Sequence, residues 1–223
     1  MPSPETGFET IFADDSLLVL NKPAGQLSVP GRGEDKQDCL SRRVQQHYAD
    51  ALIVHRLDMA TSGLMLMARG IAMQRALSRL FENREVHKRY IAVVDGHMQQ
   101  GPLVSPDSDG WSLIDLPIAA DWARRPLRII DTDHGKPSQT RWRALDFDLA
   151  ANSTRVELEP VTGRSHQLRV HLQAIGHPIL GDMLYAPLPV QTLAGRLSLH
   201  ACALRLIHPL TGASLRFESV PPF

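Results

Sequence analysis

Short apolar runs with strand character recur along the chain and mostly follow one another directly, and this order constrains the fold more than any other feature. Consecutive strands without a long crossover between them pair antiparallel. Fewer segments have the apolar spacing of a helix. The sequence therefore predicts an α+β fold with a mixed, largely antiparallel sheet. The predicted strands are residues 8–12, 17–20, 64–68, 89–94, 128–132, 138–145, 154–159, 197–207 and 214–218, and the predicted helices run from 38 to 48, from 70 to 85 and from 162–165 to about 175.

The helix predicted over residues 70–85 has the most regular pattern, because its apolar residues recur on one face. We expect Asp38 to cap the first helix and Gly176 to end the third one in a left-handed conformation. Residues 95–125 contain several glycines and prolines and are predicted to be irregular. Within them, residues 99–115 are expected to form a surface insertion, to which we assign no function.

The chain has 223 residues, of which 43% are hydrophobic and 22% are charged, as in a globular protein. We expect one domain over residues 1–223 and a monomer. No apolar run approaches the roughly 20 residues that cross a bilayer, and no secretory leader is visible at the start. These features predict a cytoplasmic protein that contacts no membrane. Cys39 and Cys202 are then expected to be reduced.

The net charge is zero, which argues mildly against a broad polyanion-binding surface but leaves room for a local basic cleft. Cationic residues nevertheless cluster. Each cluster alone is more typical of a solvated face, but together they weakly favour an anionic partner. The clusters are Arg84, His87, Lys88 and Arg89; Arg124, Arg125 and Arg128; and Arg164 and Arg169.

Residues 55–63, with the sequence His-Arg-Leu-Asp-Met-Ala-Thr-Ser-Gly, are the strongest candidate for chemistry. If the segment is extended, Arg56 and Asp58 point to the same side, because side chains alternate along a strand. They could then face one pocket and act on a charged polymer. They could equally form a surface ion pair.

Sequence motifs that bind metals or nucleotides are missing. His166 and His171 are five residues apart on a predicted helix, so their side chains lie about 140° apart around its axis. No phosphate loop, dinucleotide fingerprint or Gly-x-Ser-x-Gly elbow is present. We therefore expect neither a cofactor nor a metal.

Two further residues have candidate roles in a site. Arg164 lies at a predicted helix start, where backbone N–H groups add partial positive charge. A carboxylate such as Asp58 placed there would stay ionised, although on the sequence alone this pairing is one of many possible contacts. Tyr90 heads a predicted strand, where it is either a half-buried sheet residue or a ring that stacks on a base.

Five segments, taken in order, resemble the motifs of the RluA-type family of pseudouridine synthases. The resemblance covers nearly the whole chain. It implies the pseudouridine synthase fold, in which helices flank a sheet in two halves around a central catalytic cleft. It also implies an enzyme that isomerises uridine in RNA to pseudouridine without a cofactor. The segments are 21–25 (Asn-Lys-Pro-Ala-Gly), 55–63, 88–90 (Lys-Arg-Tyr), 163–171 (Gly-Arg-Ser-His-Gln-Leu-Arg-Val-His), and 199–201 (Leu-His-Ala) with 208–212.

The resemblance also implies roles for individual residues. Asp58 would be the catalytic aspartate, Arg164 would pair with it, and Tyr90 would pack on the target base and take part in removing the C5 proton. Arg56 would enter the gap left by the flipped nucleotide. The residues expected to contact RNA are Arg56, His55, Lys88 and Arg169.

Many relatives also carry an amino-terminal S4-like domain. Because the first predicted strand here begins by about residue 8, we expect no such domain in this protein. The chain most resembles members associated with large-subunit ribosomal RNA and with a tRNA anticodon stem-loop, so a structured RNA loop is the expected partner.

Two alternative functions remain. The chain could be an RNA-binding or ribosome assembly factor on the same scaffold with secondary catalysis. It could also be a glycoside hydrolase, although no second acidic residue stands out near these motifs.

Overall fold

The computed structural model describes residues 8–99 and 109–223. The chain divides into two compact units, one formed by residues up to Lys88 with His200–Pro222, and the other by Arg89–Leu199 with Phe223. The predicted α+β class with mainly antiparallel pairing is confirmed, while the single domain and the central cleft stay predictions. In chain order the elements are β1 (Glu9–Ala13), β2 (Leu17–Lys22), a 3-10 turn (Glu34–Lys36), α1 (Leu40–Gln45), β3 (Ala51–Ile53), β4 (Ser62–Arg69), α2 (Ile71–Glu82), β5 (His87–Asp95), β6 (Ser112–Asp115), β7 (Ile118–Ala120), β8 (Arg128–Ile130), β9 (Gln139–Asp148), β10 (Ser153–Pro160), α3 (Gln167–Ala174), α4 (Leu188–Gln191), β11 (Leu199–Ile207) and β12 (Ser214–Glu218).

In the first unit, β4 pairs with β2 and β3 in antiparallel fashion and with β11 in parallel fashion. Strand β1 extends this sheet beyond β2, and β12 pairs with β11. The parallel pairing brings Gly63 opposite Ala201. Gly63 has φ +111°, and a Cβ there would lie 2.3 Å from the carbonyl oxygen of Ala201. Only glycine therefore fits this position, which directly follows the candidate loop.

Helix α2 covers this sheet with the apolar face that its periodicity predicts. Met73 and Leu77 are buried against alternate side chains of β2 and β4, together with residues of β11 and β12. Successive side chains of a strand point to opposite faces of the sheet. The face of β2 and β4 that α2 covers is apolar along both strands. The core fixes the sheet from which the loop before β4 emerges. Its buried members are Leu17, Val19, Leu64, Leu66, Ala68, Met73, Leu77, Val86, Leu204, Leu206 and Phe217.

In the second unit, β9 and β10 pair antiparallel, β5 joins the free side of β10, and β6 joins the free side of β9. Strands β7 and β8 form a separate hairpin. Helix α3 packs against β8, β9 and β10. Its buried His171 donates from Nε2 to the carbonyl oxygen of Leu116 (2.9 Å) and its Nδ1 bonds the hydroxyl of Thr140 (2.9 Å). These bonds place α3 on the sheet.

The structure corrects several local predictions. Residues 95–125 are not wholly irregular, because β6 and β7 lie there. Most of the expected insertion at 99–115 falls outside the described residues. Its described end forms β6, and Trp111 is only 5% exposed, so this part is not a surface insertion. The cap of α1 is Cys39, because the carboxylate of Asp38 pairs with Arg43 instead (2.7 and 2.5 Å).

One other local prediction is confirmed. Gly176 ends α3 with φ +87°. Among the described residues, neither Cys39 nor Cys202 takes part in a disulfide. Within the described ranges, none of the helices has the length and the apolar character needed to cross a membrane.

Candidate functional site

Asp58 lies in the irregular loop between β3 and β4, and the residue before it is firmly anchored. Leu57 is buried, and the hydroxyl of Ser28 donates to its carbonyl oxygen (2.7 Å) while accepting its N–H (3.2 Å). The N–H of Thr61 closes a turn on the carbonyl oxygen of Asp58 (3.1 Å). The half-buried carboxylate of Asp58 is thus carried by a fixed backbone.

The residue after Asp58 is held by Lys22, whose side chain is completely buried. Its ammonium donates to the carbonyl oxygens of Pro23 (2.9 Å), Gln26 (2.8 Å) and Met59 (3.2 Å). The N–H of Gly25 also donates to Met59 (2.8 Å). A buried ammonium needs such acceptors, since burial without them is costly. The first motif therefore supports the loop that carries Asp58.

Arg56 is exposed, whereas Leu57 is buried and Asp58 is half-buried. This alternation is typical of the extended segment that the sequence predicts. An exposed guanidinium and a carboxylate two residues later thus border the same fixed loop. Together they can bind an anion and supply a carboxylate for catalysis.

His55 also fixes this loop. Its Nε2 accepts the N–H of Leu66 in β4 (2.9 Å), and its ring stacks on Phe81 of α2 with 4.6 Å between centroids. Burial, with a smaller contribution from nearby Lys88, lowers the pKa of His55 to about 3. The ring is therefore neutral near pH 7 and its acceptor is in use, which argues against the RNA contact predicted for it. Lys88 is half-buried, with Nζ 5.6 Å above the Phe81 ring.

In the second unit, Arg164 lies in a loop before α3 rather than in the helix itself, since the N-cap is His166 with a left-handed φ of +58°. The buried side chain of Gln167 holds this loop. Its Oε1 accepts from the N–H of Arg164 (3.0 Å) and the hydroxyl of Thr162 (2.7 Å), and its Nε2 donates to Gln139 (2.9 Å). The backbone of Arg164 is therefore held by Gln167, while its side chain is exposed.

Tyr90 lies in β5 opposite Leu158 of β10, and its side chain is buried. It is thus a sheet residue, as the first interpretation of the sequence expects. Contact between its ring and a base stays a prediction.

Arg169 has a different environment from the one the sequence predicts. Its guanidinium binds Asp182 through Nε–Oδ2 (2.8 Å) and Nη2–Oδ1 (2.6 Å), and the two side chains are 4% and 0% exposed. The same Oδ1 accepts the N–H groups of Leu184 and Tyr185. RNA cannot reach a buried, bidentate guanidinium, so the structure argues against the RNA contact predicted for Arg169.

Potential metal ligands do not gather near these loops in the part of the chain that the structure describes. Among the described residues, the one group of three is Asp131, Asp133 and His134, whose ligand atoms lie within 4.8 Å of one another in an exposed turn. Asp131 already accepts the N–H groups of the other two residues. His166 Nδ1 bonds the hydroxyl of Tyr185 (2.6 Å).

Sequence reasoning missed the supporting residues Lys22, Ser28 and Gln167. Lys22 and Gln167 stand inside the quoted motifs, so the motifs were a signal, but no spacing rule says that these side chains bind backbone atoms. Ser28 carries no signal of its own.

Comparison with known proteins gives a consistent result. Residues 16–174 match the family described as RNA pseudouridylate synthase. The dual-specificity RNA pseudouridine synthase RluA of Escherichia coli (strain K12) is 44% identical over 222 residues, which cover 100% of this chain and 97% of that relative. The protein of the same name from Vibrio vulnificus (strain CMCP6) is 46% identical over 212 residues, covering 94% and 81%.

Solved structures agree with these relatives. Human RNA pseudouridylate synthase domain containing 1 is 28% identical with a TM-score of 0.77, covering 100% of this chain and 87% of that one. Human RNA pseudouridylate synthase domain containing 4 is 25% identical with a TM-score of 0.68, covering 96% and 88%. The predicted fold is thereby confirmed.

Proposed function

Because this chain belongs to the RNA pseudouridylate synthase family and isomerises uridine in RNA to pseudouridine, we propose that Asp58 is the carboxylate on which the reaction depends. The observation that carries the proposal is the backbone around Asp58. Leu57 on one side and Met59 on the other are held by Ser28, Lys22 and Gly25. A fixed carboxylate loses little freedom when it meets the reacting nucleoside, which is how positioning accelerates a reaction.

The chemistry requires no oxidant or reductant. The bond between C1′ and N1 of uridine breaks, the uracil turns, and a bond from C1′ to C5 forms. The proton that leaves C5 balances the one that N1 gains. The carboxylate of Asp58 can serve by attack at C1′, by addition to C6 or as a base at C2′, and Tyr90 is proposed to pack on the base and take part in removing the C5 proton.

Arg56 and Arg164 complete the proposed site. A uridine inside a stack cannot be reached, and extruding it costs a few kcal/mol. The exposed guanidinium of Arg56 is proposed to fill the vacated space and so offset part of this cost. Arg164 is proposed to pair with Asp58, and Lys88 to contact phosphate.

We further propose a structured RNA loop as the substrate, because unpaired bases are the cheapest to expose. The curated relatives are named dual-specificity enzymes, which supports two kinds of RNA. By the resemblance these are large-subunit ribosomal RNA and a tRNA anticodon stem-loop. We also propose that the enzyme is a monomer and acts in the cytoplasm.

The substitution Asp58→Asn tests the site while preserving side-chain shape. We expect D58N to lose pseudouridine formation on total RNA from cells lacking the enzyme, mapped at nucleotide resolution, but to retain RNA binding. The matched control is Asp15→Asn, since Asp15 is a fully exposed aspartate of the same unit. Wild-type pseudouridine formation by D58N would refute the assignment. An unchanged map with the wild-type protein would favour an assembly factor, and release of free uracil would favour a hydrolase.

A further inference from the structure

The turn between β7 and β8 exposes a tryptophan among arginines. Trp122 is 75% exposed, whereas the other two tryptophans, Trp111 and Trp142, are 5% and 4% exposed. The guanidinium of Arg125 stacks over one side of the indole, 3.6 Å from its centroid. A large aromatic ring left in water offers apolar area that a partner can cover.

The turn also carries an excess of positive charge. Residues 121–128 contain three arginines and one aspartate. Arg124 is tied through Nε to Oδ2 of Asp121 (2.7 Å), yet its side chain is 71% exposed. Within residues 8–99 and 109–223, neither Arg125 nor Arg128 forms an ion pair. Two guanidiniums therefore keep their full charge for an anionic partner.

Hydrogen bonds hold this turn in a defined shape. The carboxylate of Asp121 accepts the N–H of Arg124 (3.1 Å). The N–H of Asp121 donates to the carbonyl oxygen of Leu127 (3.1 Å), and the N–H of Leu127 donates to the carbonyl oxygen of Arg124 (3.0 Å). A surface that is ordered before binding loses less conformational entropy when a partner arrives.

The same turn is joined to the loop that carries Arg164. The N–H of Arg128 donates to the hydroxyl of Tyr185 (3.0 Å), which is also bonded to Nδ1 of His166 (2.6 Å). His166 is two residues from Arg164. A chain of hydrogen bonds within the second unit therefore connects the exposed tryptophan turn with the loop that carries a proposed catalytic residue.

We propose that residues 121–128 are an RNA-docking surface, on which Trp122 stacks on an unpaired base while Arg125 and Arg128 contact the flanking phosphates. Rings that stack on unpaired bases, beside guanidiniums that track the backbone, are the means by which proteins bind single-stranded RNA segments. An acidic protein segment would use the guanidiniums but gain little from the indole. This inference rests on the proposed function, since it requires an RNA substrate.

The first test measures binding of fluorescently labelled unfractionated tRNA in the D58N background, which prevents turnover. Trp122→Ala should raise the dissociation constant about 5- to 150-fold, which is the range typical of losing one aromatic ring that stacks on a base. Trp122→Phe should recover most of this loss. Leu149→Ala is the control, because Leu149 is an exposed apolar turn residue of the same unit. Equal affinity of all four proteins would overturn the proposal.

The second test concerns charge. In the double variant Arg125→Ala/Arg128→Ala, the plot of log affinity against log salt concentration should become less steep. Its negative slope should shrink by about 0.7 for each phosphate that these arginines neutralise. Arg205→Ala, which removes an exposed arginine from β11, should leave the slope unchanged. A slope unaffected by either change would refute binding of phosphate by Arg125 and Arg128. A decrease in poly-glutamate binding by W122A as large as its decrease in RNA binding would refute base stacking.

The two proposals fail in different ways. Active D58N protein would refute the role of Asp58 whatever Trp122 does. If D58N is inactive but W122A has wild-type affinity and a wild-type KM, only the docking surface is wrong. Melting curves of every variant should show that the fold persists, because Trp122 and Arg125 are exposed and Arg128 is only half-buried.

Discussion

The buried pair of Arg169 and Asp182 gives the sharpest prediction about stability. Substituting Arg169 by Met leaves a carboxylate without its cation in a site where both side chains are almost completely enclosed. Breaking one partner of a buried pair costs about 3–5 kcal/mol. For a chain of this size each kcal/mol lowers the melting temperature by about 2–4 °C, so we expect a decrease of about 6–20 °C.

The measurement is thermal unfolding followed by circular dichroism, with the double variant Arg169→Met/Asp182→Asn beside the single ones. The double variant should be destabilised by less than the sum of the two single effects, because the lone charge is then removed. Arg43→Met changes an exposed bidentate pair and should shift melting little, since solvent screens such pairs. An R169M protein that melts like the wild type but binds RNA weakly would refute the reasoning and restore the RNA contact expected from the sequence.

Two further predictions concern the loop around Asp58. His55 has a folded pKa of about 3 against 6.5 when unfolded, so between these values the unfolded chain takes up a proton that the folded chain does not. Stability is then complete above pH 6.5 and lower by about 2 kcal/mol at pH 5; urea titrations at both pH values should show this difference in the wild type and not in His55→Gln. Gly63→Ala should cost more than the roughly 1–3 kcal/mol of backbone strain, because its Cβ meets the backbone of Ala201, whereas Gly70→Ala, with φ +77° and open space, should show only the strain; equal melting temperatures of the two variants would contradict this account.

Periodic elements could be predicted from the sequence because their signal is local. Helix α2 has the apolar face that its spacing indicates, and β12 forms a hairpin with β11 at the expected place. Strands β6 and β7 have only four and three residues. So few residues give no reliable alternation, and these strands form because β9 and β8 provide partners.

Site residues were harder to interpret because their roles depend on distant neighbours. Asp38 was expected to cap a helix, but a nearby Arg43 competes for its carboxylate. Arg169 lies in a motif beside Arg164, yet one guanidinium is exposed and the other meets Asp182. Motif spacing identified the segments, but it did not separate side chains that face solvent from those that hold the segment in place.

Lys22 links two motifs that are more than thirty positions apart. Its ammonium joins the turn after β2 to the carbonyl oxygen of Met59. The first motif therefore holds the backbone of the second motif in place. Grafting the nine-residue loop onto another scaffold without this lysine would transfer the carboxylate of Asp58 but not the contact that fixes its position. The smallest transferable part of this enzyme is therefore a discontinuous pair of segments.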